Sequence, residues 1–138
     1  MSNRVVHFEI GAEDPERAID FYKNSFDWEI KKWEGSDSDM EYWLITTGAK
    51  GTPGIDGGIY KRTGNAKPAT DNRDATNYIC TINIENIDEM INKIKQNGGE
   101  IIDDKMEIPK VGTMAYARDT EGNIFGVMQT DPSAMTGM

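Results

Sequence analysis

The sequence predicts an α+β fold: two βαβββ modules forming a curved, mixed eight-stranded sheet with a cup-shaped cleft and the helices outside. Three observations carry this expectation. Short β-branched and aromatic runs are separated by polar, glycine-rich turns. Two stretches place apolar residues at helical spacing. The order of strand, helix and strands occurs twice, at an offset of 72 residues.

Residues 5–10 (VVHFEI) open the chain as a strand. Side chains alternate across a strand, so Val6, Phe8 and Ile10 share an apolar face and Val5, His7 and Glu9 share the other. Asp14 is a good helix N-cap, and Pro15 suits the first helical position, where its missing N–H costs nothing. Ala18, Ile19, Tyr22 and Phe26 then form an apolar stripe at helical spacing, and the helix is expected to stop near Ser25. Residues 28–33 (WEIKKW) and 41–46 (EYWLIT) read as strands around a polar turn at 35–39, and residues 55–62 (IDGGIYKR) as a fourth strand with central glycines. Residues 63–77 are rich in Pro, Asn, Asp and Thr without periodicity and read as a linker. The pattern then restarts: a strand at 78–84, a helix at 86–97 ended by Gly98 and Gly99, a short strand at 100–103, and strands at 112–118 and 124–129. Residues 130–138 are expected to be a loose tail. One domain is expected, with module one at about 4–62 and module two at about 78–129.

The 72-residue offset sets His7 on Ile79, Ile10 on Ile82, Asp14 on Asn86, Ile19 on Ile91, Tyr22 on Ile94 and Ile30 on Ile102. Few pairs are identical. The agreement lies in apolar positions and helix ends, and it holds through strand, helix and strand. Duplication explains that better than two unrelated amphipathic helices. A βαβββ unit covers only one face of its sheet with its own helix. Two units leave a concave surface, the usual place for a small ligand.

A chain of 138 residues is long enough for one real core. Its 24 Asp and Glu against 15 Lys and Arg give a formal net charge of -9, which repels phosphate backbones and anionic headgroups. Nucleic acid and membrane are therefore not expected partners. The acidity keeps a protein soluble and would favour a cationic ligand. No apolar run approaches the roughly 20 residues of a membrane span, the first residues lack a leader pattern, and the cytoplasm is the expected location. The single cysteine, Cys80, excludes an intrachain disulfide and is expected to be a small buried hydrophobe. No strand–glycine loop–helix arrangement supports a phosphate-binding loop, and no third partner completes a triad with Cys80 and His7.

Three segments resemble one family. The run HFEIGAEDPERAIDFY (7–22), the helix end NGGEII (97–102) and the closing DTEGNIFGVMQ (119–129) are similar to motifs of the vicinal oxygen chelate superfamily. That superfamily includes glyoxalases, bleomycin-resistance proteins and extradiol dioxygenases. Thr120 stands where proline is usual. The resemblance covers about residues 5–129 and implies paired βαβββ modules around a cup-shaped site. It also implies, for the metal-dependent members, a divalent ion held by His, Glu or Gln from the first and last strand of each module.

Carried over position by position, those ligands fall on His7, Gly57, Ile79 and Gly126. Only His7, the one histidine, is a competent donor. Alternation sends Asp56, beside Gly57, to the opposite face. A site with an open position needs about three protein ligands, so the expectation is no cofactor, with a divalent metal ion as the alternative. His7 and Glu9 are the candidate catalytic pair: a group that titrates near neutrality beside a carboxylate. The candidate ligand contacts are Trp33, Trp43, Gly57, Tyr60, Ile79, Met114 and Gly126. Aromatics stack on flat or cationic molecules, methionine gives an adaptable lining, and glycines let a ligand approach. The first expectation is a small-molecule-binding protein without a functional metal centre, as in the drug-binding members it resembles. The alternative is a lyase, isomerase or ring-cleaving dioxygenase using His7 and Glu9. The resemblance also implies a homodimer.

Overall fold

The computed structural model describes residues 3–34, 41–62 and 78–132. The polar turn at 35–39, the linker at 63–77 and all but the start of the tail lie outside the described residues. Eight strands in mixed pairing and two helices make an α+β arrangement of two βαβββ modules. In chain order these are β1 (Arg4–Ala12), α1 (Pro15–Phe26), β2 (Glu29–Lys32), β3 (Tyr42–Thr46) and β4 (Asp56–Lys61), then β5 (Ile79–Asn83), α2 (Ile87–Gln96), β6 (Glu100–Ile108), β7 (Gly112–Arg118) and β8 (Ile124–Thr130). The chain divides into two compact units, residues 7–78 and residues 79–138 with 1–6.

Module one has the strand order β2-β3-β4-β1. β1 runs parallel to β4, while β3 is antiparallel to both β2 and β4. Asp14 caps α1 by accepting from the Arg17 N–H, Pro15 follows it, and Asp27 ends the helix in the left-handed conformation at φ 61°. The helix lays Ala18, Ile19 and Tyr22 on a core of Phe8, Ile10, Ala12, Ile30, Ile45 and Ile59. Val6 belongs to the expected apolar face but is exposed.

Module two repeats the plan with the order β5-β8-β7-β6. β5 is parallel to β8, and β7 is antiparallel to β8 and β6. Asn86 caps α2 as Asp14 caps α1, accepting from the Glu89 N–H at 3.0 Å. The Ile87 N–H, another donor of that first turn, goes to Gln129 Oε1 at 2.9 Å. Gly98, at φ 97°, and the Gly99 N–H donating to Ile94 O close the helix. Ile84, Ile87, Ile91, Ala115 and Val127 form this module's own core.

Two expectations need correction. β6 continues to Ile108, well past the short strand expected at 100–103; register shifts between Ile101 and Asp103 and again before Met106 carry the pairing with β7 through a polar stretch where simple alternation fails. Cys80 is exposed, although its neighbours in sequence are apolar. Strand neighbours point to opposite faces, so the burial of Ile79 says nothing about Cys80. Among the described residues no helix is long and apolar enough to cross a membrane.

Ile59 is 0% exposed at the centre of module one. Truncating it leaves a cavity among packed side chains, so Ile59→Ala should cost about 2–5 kcal/mol in a denaturant titration, with the midpoint falling and the slope unchanged.

Candidate functional site

The face of the module-one sheet opposite α1 collects the polar side chains. Parallel pairing sets His7 beside Asp56, Glu9 beside Gly58 and Gly11 beside Tyr60. Antiparallel pairing sets Tyr42 beside Tyr60 and Leu44 beside Gly58. Laterally paired residues point to the same side of a sheet, so all of these share one face.

Tyr42 ties the face together. Its hydroxyl lies 2.8 Å from His7 Nε2 and donates to Glu9 Oε2 at 3.0 Å. Its ring lies nearly parallel to the imidazole, with centroids 6.5 Å apart. The indole of Trp33 meets Tyr42 edge-on at 6.1 Å, and the backbone N–H of Trp33 donates to the backbone carbonyl of Tyr42. The ring of Tyr42 occupies the space above Gly58: a Cβ there would overlap the Tyr42 hydroxyl and ring. Tyr60 crosses Gly11 in the same way, its hydroxyl 2.7 Å from where a Cβ would stand. Arg62 closes that end by donating from Nη1 to Gly11 O at 2.9 Å.

Glu9 is only 8% exposed, a buried carboxylate. Burial costs a charged group its hydration, which hydrogen bonds must offset; Tyr42 supplies one. His7 is half-buried, and desolvation holds its pKa below 6.5 against the opposing pull of Glu9 and Asp56. Tyr60 is pushed up, by burial first and then by Glu9.

The structure brings together His7, Glu9, Trp33 and Tyr60, and separates them from two other expected contacts. Gly57 faces the helix side, where a Cβ would strike the Phe8 backbone and ring. Asp56, expected on the far side, is the residue that pairs with His7. The phase of β4 relative to β1 is therefore one residue away from the one assumed. Trp43 also points to the helix side, packing on the module-one core with Lys32 Nζ 5.6 Å over its ring. Tyr42 takes the place on the polar face that Trp43 was expected to hold. Both aromatics are adjacent in the sequence, and only the register with β4 separates them; the glycine at 58 is the signal that a large ring lies across that strand.

In module two, Gly126 pairs with Thr81, as Gly58 pairs with Glu9 one repeat earlier. Ile79 and Met114 are each 5% exposed, and Thr81 is 3% exposed with no hydrogen-bond partner for its hydroxyl among the described residues. A Cβ at Gly126 would sit 3.3 Å from the Tyr116 ring and 3.4 Å from Thr81 Oγ1. This half carries isoleucine and threonine, Ile79 and Thr81, where module one carries His7 and Glu9. Among the described residues no group of three His, Cys, Asp or Glu side chains is placed to hold a metal ion.

The profile of the Glyoxalase/Bleomycin resistance protein/Dioxygenase superfamily matches residues 4–127, and the chain belongs to that superfamily. No curated protein matches it by sequence. Among solved structures it is similar to a hypothetical protein from Bacillus halodurans C-125, with TM-score 0.70 and 14% identity over 95% of this chain and 96% of that one. It is also similar to methylmalonyl-CoA epimerase from Mycobacterium tuberculosis, with TM-score 0.67 and 12% identity over 96% of this chain and 91% of that one. A Streptomyces coelicolor methylmalonyl-CoA epimerase in complex with 2-nitronate-propionyl-CoA gives TM-score 0.69 and 11% identity over 96% and 97%. At such identities the likeness shows the fold.

His7 is the only imidazole, so one pair of ring resonances reports on the site without assignment. Its NMR titration midpoint should lie below 6.5, and Glu9→Gln, which removes a charge that raises it, should lower it further. The unfolded chain takes up the proton near 6.5 while the folded chain resists it. The stability contribution of the neutral ring is thus intact above that pH and lost as pH falls from there toward the folded value; His7→Gln should flatten this part of the thermal-midpoint profile. Gly58→Ala should displace Tyr42 from the bridge and cost about 1–3 kcal/mol. That cost should shrink in a Tyr42→Ala background, a coupling that a double-mutant cycle measures.

Proposed function

We propose that this chain is a small-molecule-binding member of the superfamily that works without a resident divalent metal, and that the polar face of module one is its binding surface. The observation that carries the reading is the His7–Tyr42–Glu9 hydrogen-bonded chain. In a metal-dependent relative the first-strand histidine is a ligand; here His7 Nε2 is engaged by a tyrosine hydroxyl at 2.8 Å. The residues at the other expected ligand positions are Gly57, Ile79 and Gly126. Asp56, the one added carboxylate beside His7, has its Oδ1 engaged by the N–H of Thr47 at 2.8 Å and the Thr47 hydroxyl at 3.2 Å. These residues do not fit the family's divalent ion.

The electrostatics of the face favour a cation over an anion. Glu9 and Asp56 lie beside His7, and the whole chain carries a formal charge of -9. A coenzyme A ester, as bound by the Streptomyces epimerase, would bring phosphates to a surface that repels them.

Acid–base catalysis by His7 is the second reading, with Glu9 acting through Tyr42. The depressed imidazole pKa favours it, because an unprotonated ring near neutral pH is a competent base. Turnover retained in His7→Ala would remove it.

Elemental analysis of untagged protein, with thermal shifts against Ni, Zn, Mn and Fe(II) and against a library of aromatic cations and anions, tests the first reading. The expected result is no stoichiometric metal, no metal-induced stabilisation, and stabilisation by members of the cationic set that Tyr42→Phe and Glu9→Gln reduce. A near-equimolar bound metal would overturn it.

A further inference from the structure

The hydrogen bonds among His7, Tyr42 and Glu9 run in one direction, and that direction dictates what a ligand must offer. Tyr42 has one hydroxyl proton and directs it to Glu9 Oε2. A carboxylate only accepts. With its proton committed, the tyrosine oxygen can meet His7 Nε2 at 2.8 Å only as an acceptor. His7 Nε2 therefore carries the imidazole proton. A neutral imidazole has one N–H and one lone pair, so Nδ1 is left as the acceptor.

The same holds around it. Glu9 and Asp56 are acceptors. The Tyr42 hydroxyl has spent its proton, and Arg62, at the far end, turns Nη1 to the Gly11 carbonyl. Among the described residues the His7 end of the face is thus rich in acceptors, bordered by the Trp33 and Tyr60 rings.

We propose that this face recognises organic cations bearing N–H groups: a primary or secondary ammonium, an amidine or a guanidinium attached to an aromatic or apolar body. The N–H groups donate to His7 Nδ1 and to the Asp56 carboxylate that pairs with it, and the body packs against Trp33 and Tyr60. A quaternary ammonium has the charge without the donors and is discriminated against. Sites built to pair polar groups reject analogues that leave those groups unpaired. The inference rests on the small-molecule-binding reading above and adds the chemical class of the ligand.

The test uses the whole chain above pH 7 with three probes of similar shape: benzylammonium, benzyltrimethylammonium and benzyl alcohol. Long-range proton–nitrogen spectra of the sole imidazole report its tautomer directly, and calorimetry gives the affinities. The expected tautomer carries its proton on Nε2, and benzylammonium should shift the Nδ1 resonance. It should bind about tenfold or more tightly than the quaternary probe, as the loss of a charge-assisted hydrogen bond implies. Glu9→Gln lets the chain reverse, because a glutamine amide can donate to Tyr42; the proton should then move toward Nδ1 and the preference for benzylammonium should shrink. An Nδ1–H tautomer in the unaltered protein overturns the inference. So does equal affinity for the two cations, which leaves the binding function standing on charge and stacking alone. Binding of neither cation also overturns it, and the wider ligand library then decides the binding function separately.

Discussion

Residues 57 and 58 sit back to back in β4, one against Phe8 and the other beneath Tyr42, and a side chain at either would collide with what lies on that face. On the Phe8 face the missing side chain lets β1 and β4 pair closely over the helix-covered core. On the other it makes a slot in which the Tyr42 ring lies across the strand. The hydroxyl then reaches both His7 and Glu9, two residues apart on the neighbouring strand. The polar site of module one depends on that slot. Chain entropy disfavours glycine in a strand interior, and here the close approaches on both faces account for it.

Glu9 gives the face its electrostatic character. A carboxylate this buried raises the His7 pKa that burial lowers, raises the Tyr60 pKa, and orients the Tyr42 proton. Module two shows the same backbone plan without these groups. Thr81 occupies the repeat position of Glu9, and Ile79 that of His7. The pairing with a glycine in the last strand persists. The two modules thus share their plan of packing and capping, while the His7 and Glu9 pair stands in one.

Membership of the superfamily brings a fold that hosts unrelated chemistries, and a fold alone does not supply a function. The features that distinguish this chain's site are local. A tyrosine hydroxyl engages the imidazole nitrogen, and glycine or isoleucine stands at the other expected ligand positions.

Much of the architecture was legible in the amino-acid order. The strand and helix periods, the caps at Asp14 and Asn86, the turn at Gly98 and the repeat between the modules are local or evenly spaced signals. So was the side of β1 that carries His7 and Glu9, because alternation within one strand is a local property. The face chosen by Gly57 or Gly58, and by Tyr42 or Trp43, was not. Each of those pairs is adjacent in sequence, and either phase satisfies a period of two. The choice follows from the register of β4 against β1, which joins residues 49 positions apart, and of β3 against β4, which joins residues 12 to 18 apart. A one-residue change of phase exchanges every side chain between core and site. The sequence by itself determined the modules and one strand of the site, and only the tertiary pairing decided which aromatic bridges His7 to Glu9.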